Sequence, residues 1–133
     1  MAIRLEKQLA VFLDNRPGML ARTCQALAHA KVNILALSIL DTVDHAIIRM
    51  IVDRPKDAER VLTDLRVMLQ EVDVICLDVP NAVGALAGIA ERLTEAGINI
   101  EYAYCTASKN QDFGCIVVKT KDAEQTLEIL DEL

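Results

Sequence analysis

Residues 13–34 read LDNRPGMLARTCQALAHAKVNI, and residues 79–100 read VPNAVGALAGIAERLTEAGINI. Laid over one another at an offset of 66, they place Asn15 on Asn81, Gly18 on Gly84, and Leu20 and Ala21 on Leu86 and Ala87. Leu27 falls on Leu93, Ala30 on Ala96, and Asn33-Ile34 on Asn99-Ile100. The ungapped match runs from Leu13 to Val52 against Val79 to Val118. One residue is then lost in the second copy, after which Lys56-Asp57-Ala58-Glu59 falls on Lys121-Asp122-Ala123-Glu124. A shared order of glycine, asparagine and apolar positions over this length is an internal repeat, so one structural unit is used twice.

Each copy reads the same way. Leu9, Val11 and Leu13 alternate with Gln8, Ala10, Phe12 and Asp14, as Ile75, Leu77 and Val79 do later, which predicts an opening strand in each copy. The turn Asn15-Arg16-Pro17-Gly18 follows. Leu20, Cys24, Leu27 and Ala30 then recur at helical spacing, as do Leu86, Ile89, Ala90, Leu93 and Ala96. Pro17 suits the first helical position, and Gly97 suits the end of the second copy's helix. Strands are predicted over 32–40 and 46–53, and again over 98–106 and 112–119. A last helix follows, with Ala58, Val61, Leu62, Leu65, Met68 and Leu69 on one stripe in the first copy and Ala123, Leu127 and Leu130 in the second.

That order, βαββα twice, is a ferredoxin-like split βαβ unit without its final strand, with repeats at 1–70 and 71–133. An unpaired opening strand would leave a sheet edge with open backbone groups. Pairing the two opening strands solves both edges at once and predicts an α+β fold. Its two repeats form one antiparallel six-stranded sheet with four helices on one face. Ala10 and Phe12 point away from those helices, and Leu35, Leu37 and Ile39 alternate with Ile34 and Ala36. An apolar outer sheet face of this kind predicts a homodimer stacked through the sheet.

Composition narrows the function. The chain has 133 residues, 53% hydrophobic and 26% charged, with a net charge of -6. That negative charge disfavours nonspecific nucleic-acid binding, which depends on Lys and Arg neutralising phosphates. No stretch approaches the roughly 18 uncharged apolar residues that span a bilayer, and the start MAIRLEK lacks an apolar leader core. A cytoplasmic protein with no membrane role is expected. Cys24, Cys76, Cys105 and Cys115 lack CxxC spacing and read as reduced, buried small hydrophobes. His29 and His45 read as solvated; neither recurs in the other copy, and no metal site, cofactor motif or catalytic constellation emerges.

The informative segment is Asp14-Asn15-Arg16-Pro17-Gly18-Met19-Leu20. It joins a strand to a helix N-terminus, where free N–H groups and the helix dipole attract a carboxylate. Gly18 has no side chain to block a ligand. Alternatively Asp14 or Asn15 turns the chain and Gly18 packs tightly against the sheet. Asn33 and Asn99 either complete turns or meet the ammonium of a zwitterion.

Asp14-Asn15-Arg16-Pro17-Gly18-Met19-Leu20 followed by Asn33-Ile34 resembles the D-x-P-G-x-L…N-I pattern of ACT domains, the small regulatory domains attached to many amino-acid biosynthetic enzymes, including aspartate kinase. The resemblance covers nearly the whole chain as two halves. The second half has Pro80 for the aspartate and Val83 for the proline. It implies a ferredoxin-like fold, association through sheets or helices, and binding of a free amino acid near the first strand-to-helix turn, often between two domains. The residues carried over are Asp14, Asn15, Arg16, Pro17, Gly18, Met19, Leu20, Asn33 and Ile34, with Asn81, Gly84, Ala85, Leu86, Asn99 and Ile100 in the second half. A stand-alone tandem ACT protein is therefore expected to be a non-catalytic amino-acid sensor. The alternatives are a regulatory subunit of a separate biosynthetic enzyme, as in acetolactate synthase, or a small enzyme on a ferredoxin-like fold.

Overall fold

A computed structural model describes residues 2–132. Strand β1 (Ala2–Asp14) is followed by helix α1 (Met19–His29), β2 (Ile34–Asp41), β3 (His45–Val52) and α2 (Pro55–Asp64). The second half repeats the order with β4 (Met68–Pro80), α3 (Ala85–Glu95), β5 (Tyr102–Thr106), β6 (Phe113–Lys119) and α4 (Ala123–Asp131). The strands form one six-stranded sheet in the order β2-β3-β1-β4-β6-β5. Among the described residues no helix is long and apolar enough to cross a membrane.

Two compact units divide the chain. One is residues 7–72; the other is residues 73–133 together with the first six. In the first, Leu9, Val11 and Leu13 of β1 meet Ile48, Met50 and Val52 of β3, with Leu27 of α1 and Ala58 and Leu62 of α2 laid over them. In the second, Ile75, Leu77 and Val79 meet Ile116 and Val118 under Ile89, Leu93 and Leu130, and Ile3 packs against the same cluster. Each fully buried Leu or Ile of this kind contributes about 1.5–3 kcal/mol through apolar burial. In each unit the helices cover one strand face, because period-2 alternation puts the large aliphatics there.

The structure departs from the sequence reading in four places. Met68 and Leu69 belong to β4 and not to the preceding helix. The helix stops because Arg66 adopts φ 59°, and the N–H groups of Arg66 and Val67 turn back to the carbonyls of Thr63 and Leu62. Pro17 is not the first helical residue: α1 starts at Met19 with Gly18 as its N-cap, and the proline lies in the turn before it. A proline does open α2, at Pro55.

The third departure concerns the strand faces. Leu37 pairs with Met50 and Ile39 with Ile48, so both stand on the helix-facing side, opposite to Phe12, which pairs with Ile47. A bulge between Ile34 and Ala36 inserts one residue and flips the alternation expected for β2. Finally, Cys105 is exposed and only Cys76 is fully buried, although all four cysteines are free thiols.

Candidate functional site

The strand-to-helix turn is built from backbone contacts. Asp14 pairs with His45 at the end of β1. Arg16 N–H then donates to the Asp14 carbonyl at 3.0 Å, and Met19 N–H to the Arg16 carbonyl at 3.4 Å. Gly18 holds φ 88°, a left-handed conformation that glycine adopts without strain. A Cβ on Gly18 would meet nothing within 4 Å, so tight packing against the sheet is not its role. No side chain caps α1, which leaves the N–H groups of Leu20 and Ala21 without a capping acceptor.

The second copy repeats this geometry without the proline. Gly84 holds φ 87°, Ala85 N–H donates to the Ala82 carbonyl at 3.3 Å, and α3 also lacks a side-chain cap. Leu20 and Leu86 stand exposed beside the two glycines, at 41% and 45%. Met19 and Ala85 instead pack against their helix-facing cores, as do Ile34 and Ile100.

The two asparagines of the turns have a structural task. Asn15 Nδ2 donates to the Thr42 carbonyl at 3.0 Å and to Asp41 Oδ1, while Asn15 N–H donates to the Asp44 carbonyl. Asn81 Nδ2 donates to the carbonyls of Ser108 and Gln111, at 2.8 and 2.9 Å, and its N–H to the Asp112 carbonyl. Each amide thus ties the first turn of its copy to the tip of the next hairpin. Around the first turn that tip brings Asp41 and Asp44 near Asp14, whose own carboxylate lies 3.8 Å from Arg16 Nε. At the second turn the neighbours are Ser108 and Gln111, and Pro80 stands where Asp14 was.

Asn33 is not brought to the Gly18 turn of its own copy. It precedes Ile34, which pairs with Val52, whereas Asp14 pairs with His45. Positions 45 and 52 lie at opposite ends of β3, about 23 Å apart at roughly 3.3 Å per residue. Asn33 N–H donates to Asp53 Oδ1 at 2.9 Å, and its carbonyl accepts from Asp53 N–H at 3.1 Å, so its backbone clips the end of β3. Its side chain is exposed. Asn99 sits likewise at the far end of its copy, two residues before Glu101, whose N–H donates to the Lys119 carbonyl.

Other candidates are less suited to a zwitterion. A shallow groove of about 490 Å³ between α1 and α2 is lined by Ala26, His29, Ala30, Val61, Asp64 and Leu65. It is wide open and largely apolar, lies at the end of α1 remote from Gly18, and has Gln25, His29 and Asp64 as its polar lining. His29 and His45 are both exposed, and no group of three or more metal-ligating side chains occurs among the described residues.

Comparison with known proteins follows the same lines. The family model described as an ACT domain pair matches residues 1–132. Among solved structures, the chain is similar to protein BT0572 from Bacteroides thetaiotaomicron, at 32% identity over 98% of this chain and 89% of that one, with a TM-score of 0.90. It shares its fold with the regulatory subunit of aspartate kinase from Thermus thermophilus, at 15% identity over 99% of this chain and 96% of that one, TM-score 0.68. The regulatory subunit from Thermus flavus compares at 17% identity over 99% and 96%, TM-score 0.64. No curated protein matches the chain. With the repeat, the sheet order and a model match across 1–132 in agreement, the chain belongs to the family of ACT domain pairs.

Proposed function

We propose that this ACT domain pair is a non-catalytic regulatory protein that binds a free amino acid, with the Gly18 turn as its carboxylate site. One observation carries the reading: a left-handed glycine opens an uncapped helix twice, at φ 88° and 87°, each time beside an exposed leucine. The N–H groups of Leu20 and Ala21 and the helix dipole favour a carboxylate. The exposed Asp14 is the nearest complement for an ammonium. Pro80 removes that complement from the second copy, so the first binds more tightly.

A free amino acid is far too short to join Gly18 to Asn33 of one unit. Asn33 and Asn99 would therefore not complete the carboxylate site of their own unit. Self-association is supported by the edge strand β2, where Leu35, Leu37, Ile39 and Leu40 are between 38% and 47% exposed. The sheet face away from the helices carries the charged set Arg4, Glu6 and Asp78 as well as apolar residues, so the edge is the better candidate for a homodimer. Free thiols agree with a reducing, cytoplasmic setting.

A thermal-shift screen of the twenty amino acids, followed by calorimetry, tests the proposal. A ligand at about 100 times its Kd adds roughly 2.7 kcal/mol of stability. Asp14→Asn should weaken binding by roughly 1.5–3 kcal/mol, about 10- to 150-fold, with little loss of stability because the carboxylate is exposed. Neither heat nor a shift with any amino acid would end the reading. Leu37→Asp should give monomers in sedimentation; a monomeric Phe12→Asp and a dimeric Leu37→Asp would return the interface to the sheet face. The whole-chain likeness in fold to aspartate kinase regulatory subunits favours a second reading, a subunit of a separate enzyme. Co-purification of a larger catalytic subunit would select it.

A further inference from the structure

In the ladder between β4 and β6, Cys76 pairs with Val117 and Asp78 with Cys115, which makes Cys76 and Cys115 diagonal neighbours. Both stand on the sheet face away from α3 and α4, since the alternate residues Ile75, Leu77, Ile116 and Val118 fill the helix-facing core. Diagonal neighbours on one sheet face have side chains within reach of each other. Arg4 of β1 reaches the same patch, with Nη1 2.8 Å from Asp78 Oδ2 and Nε 2.8 Å from Glu6 Oε1; Asp78 is the ladder partner of Cys115. Thr106 pairs with Cys115 from β5, and Tyr104 pairs with Val117 beside it.

The neighbouring Cys76 thiol, aided by Arg4, outweighs burial and the Asp78 carboxylate and lowers Cys115 to about 7. The same pairing and burial push Cys76 up. Cys76 is fully buried and Cys115 half-buried, so a reagent in solution meets Cys115 first.

We propose that Cys115 and Cys76 form a reversible oxidation site, in which a hydroperoxide oxidises Cys115 and Cys76 closes an intramolecular disulfide. The Cys115 thiolate attacks the peroxide oxygen; the S–O bond forms, the O–O bond breaks, and the leaving oxygen takes a proton as alcohol or water. Cys76 then attacks the Cys115 sulfenic acid. The S–S bond forms, the S–O bond breaks, and hydroxide leaves with the Cys76 proton as water. Two electrons pass from the dithiol to the peroxide. Diagonal neighbours lie about 7–8 Å apart, against a preferred Cα separation of about 5.5–6 Å in a disulfide. The bond therefore pulls the strands together, is strained, and is readily reduced by a dithiol.

Hydrogen peroxide on the full chain, read by intact mass and peptide mapping, tests this. The expected product has lost two hydrogens, carries a cross-link between residues 76 and 115, and reverts with dithiothreitol. Cys76→Ser should stop at a dimedone-trappable sulfenic acid on Cys115, and Cys115→Ser should give neither product. Iodoacetamide alkylation of Cys115 in the parent chain should follow a pH profile centred near 7. Arg4→Gln should move that midpoint upward, a readout that survives if either serine variant fails to fold by circular dichroism. Oxidation confined to Cys105, or an alkylation midpoint near the ordinary thiol value of about 8.5, would overturn the proposal.

Discussion

Gly18 and Gly84 are required by backbone conformation alone, since open space surrounds the place of a Cβ at both. Gly18→Ala and Gly84→Ala should therefore each cost about 1 kcal/mol in urea denaturation, the penalty of a left-handed Ala, and not the larger cost of a clash. The converse case is Lys31. It holds φ 61° after α1, where Gly97 holds φ 74° after α3, so Lys31→Gly should stabilise by about 0.5–1 kcal/mol in the same assay. Asn15→Ala removes two side-chain hydrogen bonds to the hairpin tip and should cost roughly 1–2 kcal/mol, with Asn81→Ala close behind. The repetition of these asparagines and glycines was legible in the sequence. Their division of labour was not, because the hairpin that Asn15 holds lies far along the chain, at Asp41 and Thr42.

The elements were legible wherever a periodic pattern ended on a recognisable stop. Gly97 marks the end of α3, but nothing comparable marks the end of α2, where Arg66 takes the left-handed position. Met68 and Leu69 continue the helical spacing by coincidence, although they open β4. The β2 bulge hid itself for a related reason: a single inserted residue leaves composition unchanged and reverses which side chains face the helices. Between α2 and β4, Glu59 hydrogen-bonds Glu71; that bond, then burial and the Glu71 charge, raise the Glu59 pKa above its ordinary 4.5. A raised carboxyl contributes stability that is fully present below the unfolded value and is lost as pH rises through the folded one. The gap in urea midpoint between the parent and Glu59→Gln should thus be small at acid pH and open in favour of the variant toward neutrality. A gap that does not vary with pH would show that the pair is not linked to folding.

For the molecule as a whole, pairing the two opening strands was derivable from the need to cover two sheet edges, and the sheet order meets it. Where one compact unit stops was not derivable. The clear alternation of β1 starts at Gln8, yet the strand begins at Ala2, and its first residues serve the later half of the chain. Ile3 packs against the cluster of Ile75 and Leu77, and Arg4 pairs with Asp78. Ile3→Asp should therefore cost about 1–2 kcal/mol, and hydrogen exchange should report the loss in β6 before it appears in β3. A cut between the halves of the sequence would likewise not yield two independent domains, since the C-terminal fragment would lack its borrowed strand segment. During synthesis Ile3 and Arg4 must wait, without their native partners, until Asp78 and then Ile116 have emerged, so the unit they complete closes only after residues 7–72 are already free to fold.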